Sequence, residues 1–96
     1  MNVYMPRIRR TALALTRQGY EWWTHVQVVP GSSHSRHYPV VRTPTGRLVT
    51  GGAVEARSQD ESLAILVGLA HVVATQPHRI QPSPYPWAQG IIPFTV

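Results

Sequence analysis

Ser58 to Ala74 reads SQDESLAILVGLAHVVA, and this stretch decides the fold. Ser58 followed three residues later by Glu61 is a capping-box pattern, and Asp60 adds negative charge at the positive end of the helix dipole. The pattern predicts a helix that starts after Ser58 and ends near Thr75, because Pro77 cannot continue it. From Leu63 to Ala74 the only polar side chain is His71. A surface helix keeps one polar face; this one does not, so it needs cover on both sides. The expectation is a sheet on one side and a partner, or the chain's own C-terminal segment, on the other. Gly68 sits mid-helix, where it costs about 1 kcal/mol relative to Ala. The expected compensation is close approach of another backbone.

Upstream of the helix, Glu21 to Val29 (EWWTHVQVV) has the aromatic and β-branched content of a strand. Trp22, Thr24, Val26 and Val28 point one way; Trp23, His25, Gln27 and Val29 point the other. Pro30-Gly31-Ser32-Ser33 breaks it, and His34 to His37 reads as part of the same polar loop. Tyr38 to Thr43 is a second strand. Pro44-Thr45-Gly46 is a turn, Arg47 to Thr50 a third strand, and Gly51-Gly52 a candidate bulge before Ala53 to Glu55. Residues 1–7 read as an arm. Residues 8–17 are ambiguous: Ile8, Ala12 and Leu15 share a helical face, while Leu13 and Leu15 share a strand face. The turn signal Gln18-Gly19 favours a strand leading into a hairpin.

Residues 76–96 hold five of the nine prolines, interleaved with Tyr85, Trp87, Ile91, Ile92 and Phe94. So many large apolar groups are unlike a disordered tail. The expected fold is therefore α+β. An antiparallel three- to four-stranded sheet packs on one long helix in the C-terminal half of a 1–75 domain. An extended Pro-rich tail, 76–96, lies across it or across a neighbouring subunit.

Ninety-six residues suit one modest core. No run is long enough to span a bilayer, and MNVYMPRIRR has no apolar stretch of signal-peptide length after it, so the expected location is the cytoplasm. The chain has no cysteine, which removes disulfides, thiol nucleophiles and cysteine-ligated zinc. Net charge is +5, all nine basic residues are arginine, and only Glu21, Glu55, Asp60 and Glu61 oppose them. Arginine's planar fork suits phosphate and carboxylate, although a GC-rich genome also favours Arg over Lys. The partners expected of such a surface are nucleic acid, DNA rather than RNA, or an acidic protein.

Five histidines are present, and His34 and His37, with His25, are the one arrangement that suggests a divalent metal. Zinc needs three or four ligands in fixed geometry, and no carboxylate lies near these in sequence. The simpler reading is a solvated loop, and no cofactor is expected. Catalysis is not expected either. Carboxylates are scarce, three of the four surround the helix start, and Ser32, Ser33 and Ser35 lack an oriented base.

The order from Tyr20 to Ala74, three strands then a capped helix, resembles the three-stranded-sheet-plus-helix domains of tyrosine recombinases and AP2-type DNA binders. Their helix opens on T/S-x-x-E-A; here Ser58-Gln59-Asp60-Glu61-Ser62 stands in that place, with Ser62 for the alanine. The outline is also similar to double-stranded-RNA-binding and HicB-like antitoxin domains, but Gln59 and Asp60 occupy positions where the RNA-binding pattern has lysines. The resemblance assigns no family.

Two functions follow. The first is a non-enzymatic nucleic-acid-binding protein using an Arg/aromatic sheet face or hairpin. Arg36, Arg42 and Arg47 would meet phosphates, with Arg9 and Arg10, and Trp23 would stack on bases. The alternative is a protein-interaction module: a subunit of a homo-oligomer, or a small inhibitor of the kind mobile elements encode. Val67, His71, Tyr85, Trp87, Ile91 and Phe94 would form that contact.

Overall fold

A computed structural model of the chain describes residues 5–93. In chain order the elements are α1 (Met5–Arg17), β1 (Glu21–Val28), β2 (Ser35–Arg42), β3 (Leu48–Gly51), α2 (Gln59–Thr75), β4 (Gln81–Pro82) and β5 (Gly90–Ile92). A single 3-10 turn, Pro77–Arg79, follows α2. The fold is α+β. Its five strands run in the order β1-β2-β3-β5-β4, and the sheet is mixed because β3 pairs with β5 in parallel. Among the described residues no helix is long and apolar enough to cross a membrane.

Three expectations are corrected. Residues 8–17 are helical, and Met5–Arg7, read as an arm, belong to the same helix. The deciding feature is the end of α1. Tyr20 N–H donates to the Leu15 carbonyl and Gly19 N–H to the Thr16 carbonyl, each at 3.0 Å, which is a Schellman cap. Gly19, at φ +99°, supplies the left-handed residue that cap needs. Tyr20 then packs on the core beside Leu15.

The second correction concerns the cover of α2. Ser58 caps this helix, its Oγ accepting the Glu61 N–H at 3.1 Å. The two helices, 13 and 17 residues, replace the one long helix expected. One side of α2 faces the sheet; α1 lies against another and sets Ile8, Ala12 and Leu15 onto the common core. A second helix, not the C-terminal segment, thus explains why α2 lacks a polar face. Val41, Val49, Val67, Leu69, Ala70, Val73 and Ile92 complete this core. Gly68 has no atom within 4 Å of where a Cβ would sit, so no backbone approaches it.

The third correction is the C-terminal segment itself, which is not an extended tail. It turns after α2 and adds β4 and β5 to the sheet, extending what was expected as an antiparallel three- to four-stranded layer. A parallel neighbour for β3 requires a long crossover, and α2 provides it. Gln89 ties the joint, its N–H donating to the Leu48 carbonyl at 2.9 Å and its Oε1 accepting the Leu48 N–H at 2.6 Å. Gly90 lets β5 pass under Ile80: a Cβ there would lie 2.5 Å from the Ile80 Cγ2. Phe94 lies outside the described residues.

Candidate functional site

Strand register fixes which side chains share a surface. Trp22 pairs with Val41, Trp23 with Val40, His25 with Tyr38 and Gln27 with Arg36. Val41 belongs to the core under α2, so Trp22, Thr24 and Val26 lie on the helix side, and Trp23, His25 and Gln27 on the other, as their alternation requires. Strand β2 begins at Ser35, so Arg36 and His37 are strand residues rather than loop.

The outer face carries Arg36 and Arg42 at the two ends of β2, six residues and about 20 Å apart at ~3.3 Å per residue. Arg42 stands opposite Glu21, and Trp23, at 39% exposure, is its diagonal neighbour. Between these ends residues 83–89 cross the face. Trp87 stacks on His25 with ring centroids 4.1 Å apart and planes 22° apart, and on Tyr85 at 5.0 Å. Tyr38 packs beside both rings, 5.1 Å from Tyr85 and 5.2 Å from Trp87. The Tyr38 hydroxyl, then burial, raises the Tyr85 phenol above its ordinary 10.0, and nearby Arg36 opposes this. Beneath the cluster the buried Thr50 hydroxyl donates to the Pro39 carbonyl at 3.0 Å and to the Gly51 carbonyl at 2.9 Å. The sheet face thus offers Trp23 and two separated arginines around an aromatic plug.

Arg47 is not with them. It has the parity of Val49, on the helix side, and its Nη2 lies 3.4 Å from where a Gly90 Cβ would sit. The three histidines do not converge. His25 is on the outer face under Trp87, His37 is on the helix side with its ring within 3.2 Å of the Ser35 Oγ, and His34 is in the turn between β1 and β2. Among the described residues no three His, Asp or Glu side chains are placed to hold a metal ion.

Arg9 and Arg10 fall in a denser group. Helix α1 carries Arg7, Arg9, Arg10 and Arg17, no acidic residue, and all four are exposed. Arg10 and Arg17, seven apart, share the face opposite Ile8 and Leu15, while Arg7 and Arg9 flank it. Arg7 sits in the first turn, where the helix dipole is unfavourable to a cation, Arg9 and Arg10 in the turn after it, and Arg17 in the last turn, at the favourable end. Of the eight exposed arginines only Arg9 has a carboxylate within reach among the described residues, Asp60 at 4.0 Å. Arg17 was missed from the sequence because residues 8–17 were read as strand, which scatters these arginines over two faces.

Val67 is buried in the core of its own subunit, and Tyr85 and Trp87 pack on their own sheet. Ile91 is half-buried in β5. His71 is exposed and borders a groove of about 270 Å³ between the helices, lined also by Arg7, Ile8, Thr11 and Gly68. Compared with known proteins, the chain matches no family model, no curated protein and no solved structure.

Proposed function

We propose that this protein binds duplex DNA through its phosphate backbone, with α1 as the principal contact, and performs no catalysis. The observation that supports this is the set of four exposed arginines on a helix with no acidic residue. Arg7 and Arg10, three residues apart, are like-charged neighbours on the helix surface, and an anionic partner relieves their repulsion. An exposed basic helix fits the major groove of B-form DNA; the deep, narrow major groove of A-form RNA does not admit it. Arg36, Arg42 and Trp23 form a secondary surface. There Glu21 faces Arg42, and Tyr85 and Trp87 occupy the centre of the face.

The test is fluorescence anisotropy with labelled duplex DNA, single-stranded DNA and duplex RNA, comparing Arg10→Ala/Arg17→Ala with Arg36→Ala/Arg42→Ala. The α1 pair is expected to weaken duplex binding at least tenfold and to lower the salt slope by about 2, one per lost phosphate contact. The sheet pair is expected to do less. Equal affinity of the α1 variant and the unaltered protein would remove α1 from the contact.

A further inference from the structure

Two edges bound the sheet, and they differ in kind. Strand β4 is two residues, one of them Pro82, which cannot donate to a new strand. Strand β1 is eight residues, EWWTHVQV, with no proline, no arginine and no bulge in its pairing with β2. An edge with none of these guards is a template for another strand. Four large hydrophobic side chains are exposed among the described residues, and three of them, Trp23, Val26 (51%) and Val28 (69%), are on this strand.

The backbone groups that face outward can be assigned. The Val29 N–H donates to the His34 carbonyl, so Val29 turns its polar groups toward β2, as do Gln27, His25, Trp23 and Glu21 by alternation. Trp22, Thr24, Val26 and Val28 therefore present their N–H and C=O groups to an edge that no strand covers among the described residues.

We propose that β1 pairs antiparallel with β1 of a second copy of this chain, about a two-fold axis through His25. In that register Trp22 meets Val28 of the second copy and Thr24 meets its Val26, joining the outward-facing residues in about eight ladder hydrogen bonds. Trp23 meets Gln27 on the other face. Both exposed valines gain a large or β-branched neighbour, and no two like charges oppose each other. Charge selects the occupant. In a chain of net charge +5, β1 carries only Glu21 and no arginine, so the edge offers an acidic partner nothing to pair with, whereas a second copy needs no complementary charge. A two-fold pair is also isologous, which closes the assembly at two and leaves only the blunted β4 edges.

The test uses the full chain. Light scattering is expected to give twice the 10.7 kDa of one chain. Val26→Lys, an exposed position, is expected to give the single-chain mass with an unchanged far-UV spectrum. Thr24→Pro is expected to do the same, because it removes an outward N–H and leaves the β1–β2 ladder whole. Register is read by a single cysteine, since the chain has none of its own. His25→Cys is expected to form a disulfide-linked dimer, as a non-hydrogen-bonded pair brings the two Cα atoms to about 4.5 Å, within the span a disulfide bridges. A single-chain mass for the unaltered protein, or a dimer that survives both Val26→Lys and Thr24→Pro, would overturn the pairing. Cross-linking by Thr24→Cys and not by His25→Cys would overturn the register.

Discussion

Replacing Gly68 with alanine should make this protein more stable. Gly68 lies in the interior of α2, where glycine costs about 0.8–1.0 kcal/mol relative to alanine through the backbone freedom it loses. Normally a mid-helix glycine is retained because something presses against it, and Gly→Ala then destabilises. Here a Cβ meets no atom within 4 Å and opens onto the groove between α1 and α2. The added methyl enters a groove that Ile8 and Val67 also line, and its partial burial there contributes a few tenths of a kcal/mol more. The sum is about 1 kcal/mol of stabilisation, or a Tm rise of roughly 4–8 °C for a chain of this size. Urea unfolding followed by circular dichroism, with the m-value unchanged, measures it. A variant equal to or less stable than the unaltered protein would mean that α1 sits directly on Gly68, and the two-helix cover of α2 would have to be redrawn.

Gly90 is the opposite case: its Cβ would strike Ile80, whose β-branched side chain has little freedom at χ1, so Gly90→Ala should destabilise by about 1–3 kcal/mol in the same assay. Ser58→Ala removes the α2 cap and should cost about 0.5–2 kcal/mol, read from the urea midpoint. Tyr85 has a pKa raised by the Tyr38 hydroxyl and burial, so just above pH 10 the folded state holds a proton that the unfolded state has lost. Its contribution is complete below that pH and falls as pH rises toward the folded value. Urea midpoints compared between pH 9 and 11 should therefore decline less in Tyr85→Phe than in the unaltered protein.

Local signals carried parts of the fold. The Ser58–Glu61 cap and the Trp22–Val28 alternation are written in neighbouring residues, and the structure has the α2 start and the β1 faces that they imply. The nature of residues 8–17 turned on Gly19. The same glycine serves a hairpin turn or a helix cap, and only the pairing of Leu15 with Tyr20 across the cap separates the two. Strands β4 and β5 have two and three residues, too few for periodicity, and their ladder depends on β3, some forty residues earlier. The faces of the hairpin arginines, by contrast, follow from alternation. Arg36 and Arg42 share a face by simple alternation along one strand. The turn at Thr43–Gly46 keeps the count, because Arg42 pairs with Leu48 and Val41 with Val49, so the odd-numbered Arg47 falls with Val41 and Val49 on the helix side, as alternation carried through the turn requires.

The proposal that α1 meets DNA phosphates is tested most directly by the salt dependence of duplex binding in the unaltered protein. With three to four phosphate contacts, the logarithm of the binding constant should fall linearly with the logarithm of salt concentration, with a slope of about −3 between ~50 and ~300 mM. Duplex RNA should bind more weakly at every salt concentration. A slope near zero, or no binding at the lowest salt, would contradict the proposal and leave the +5 charge without a nucleic-acid role.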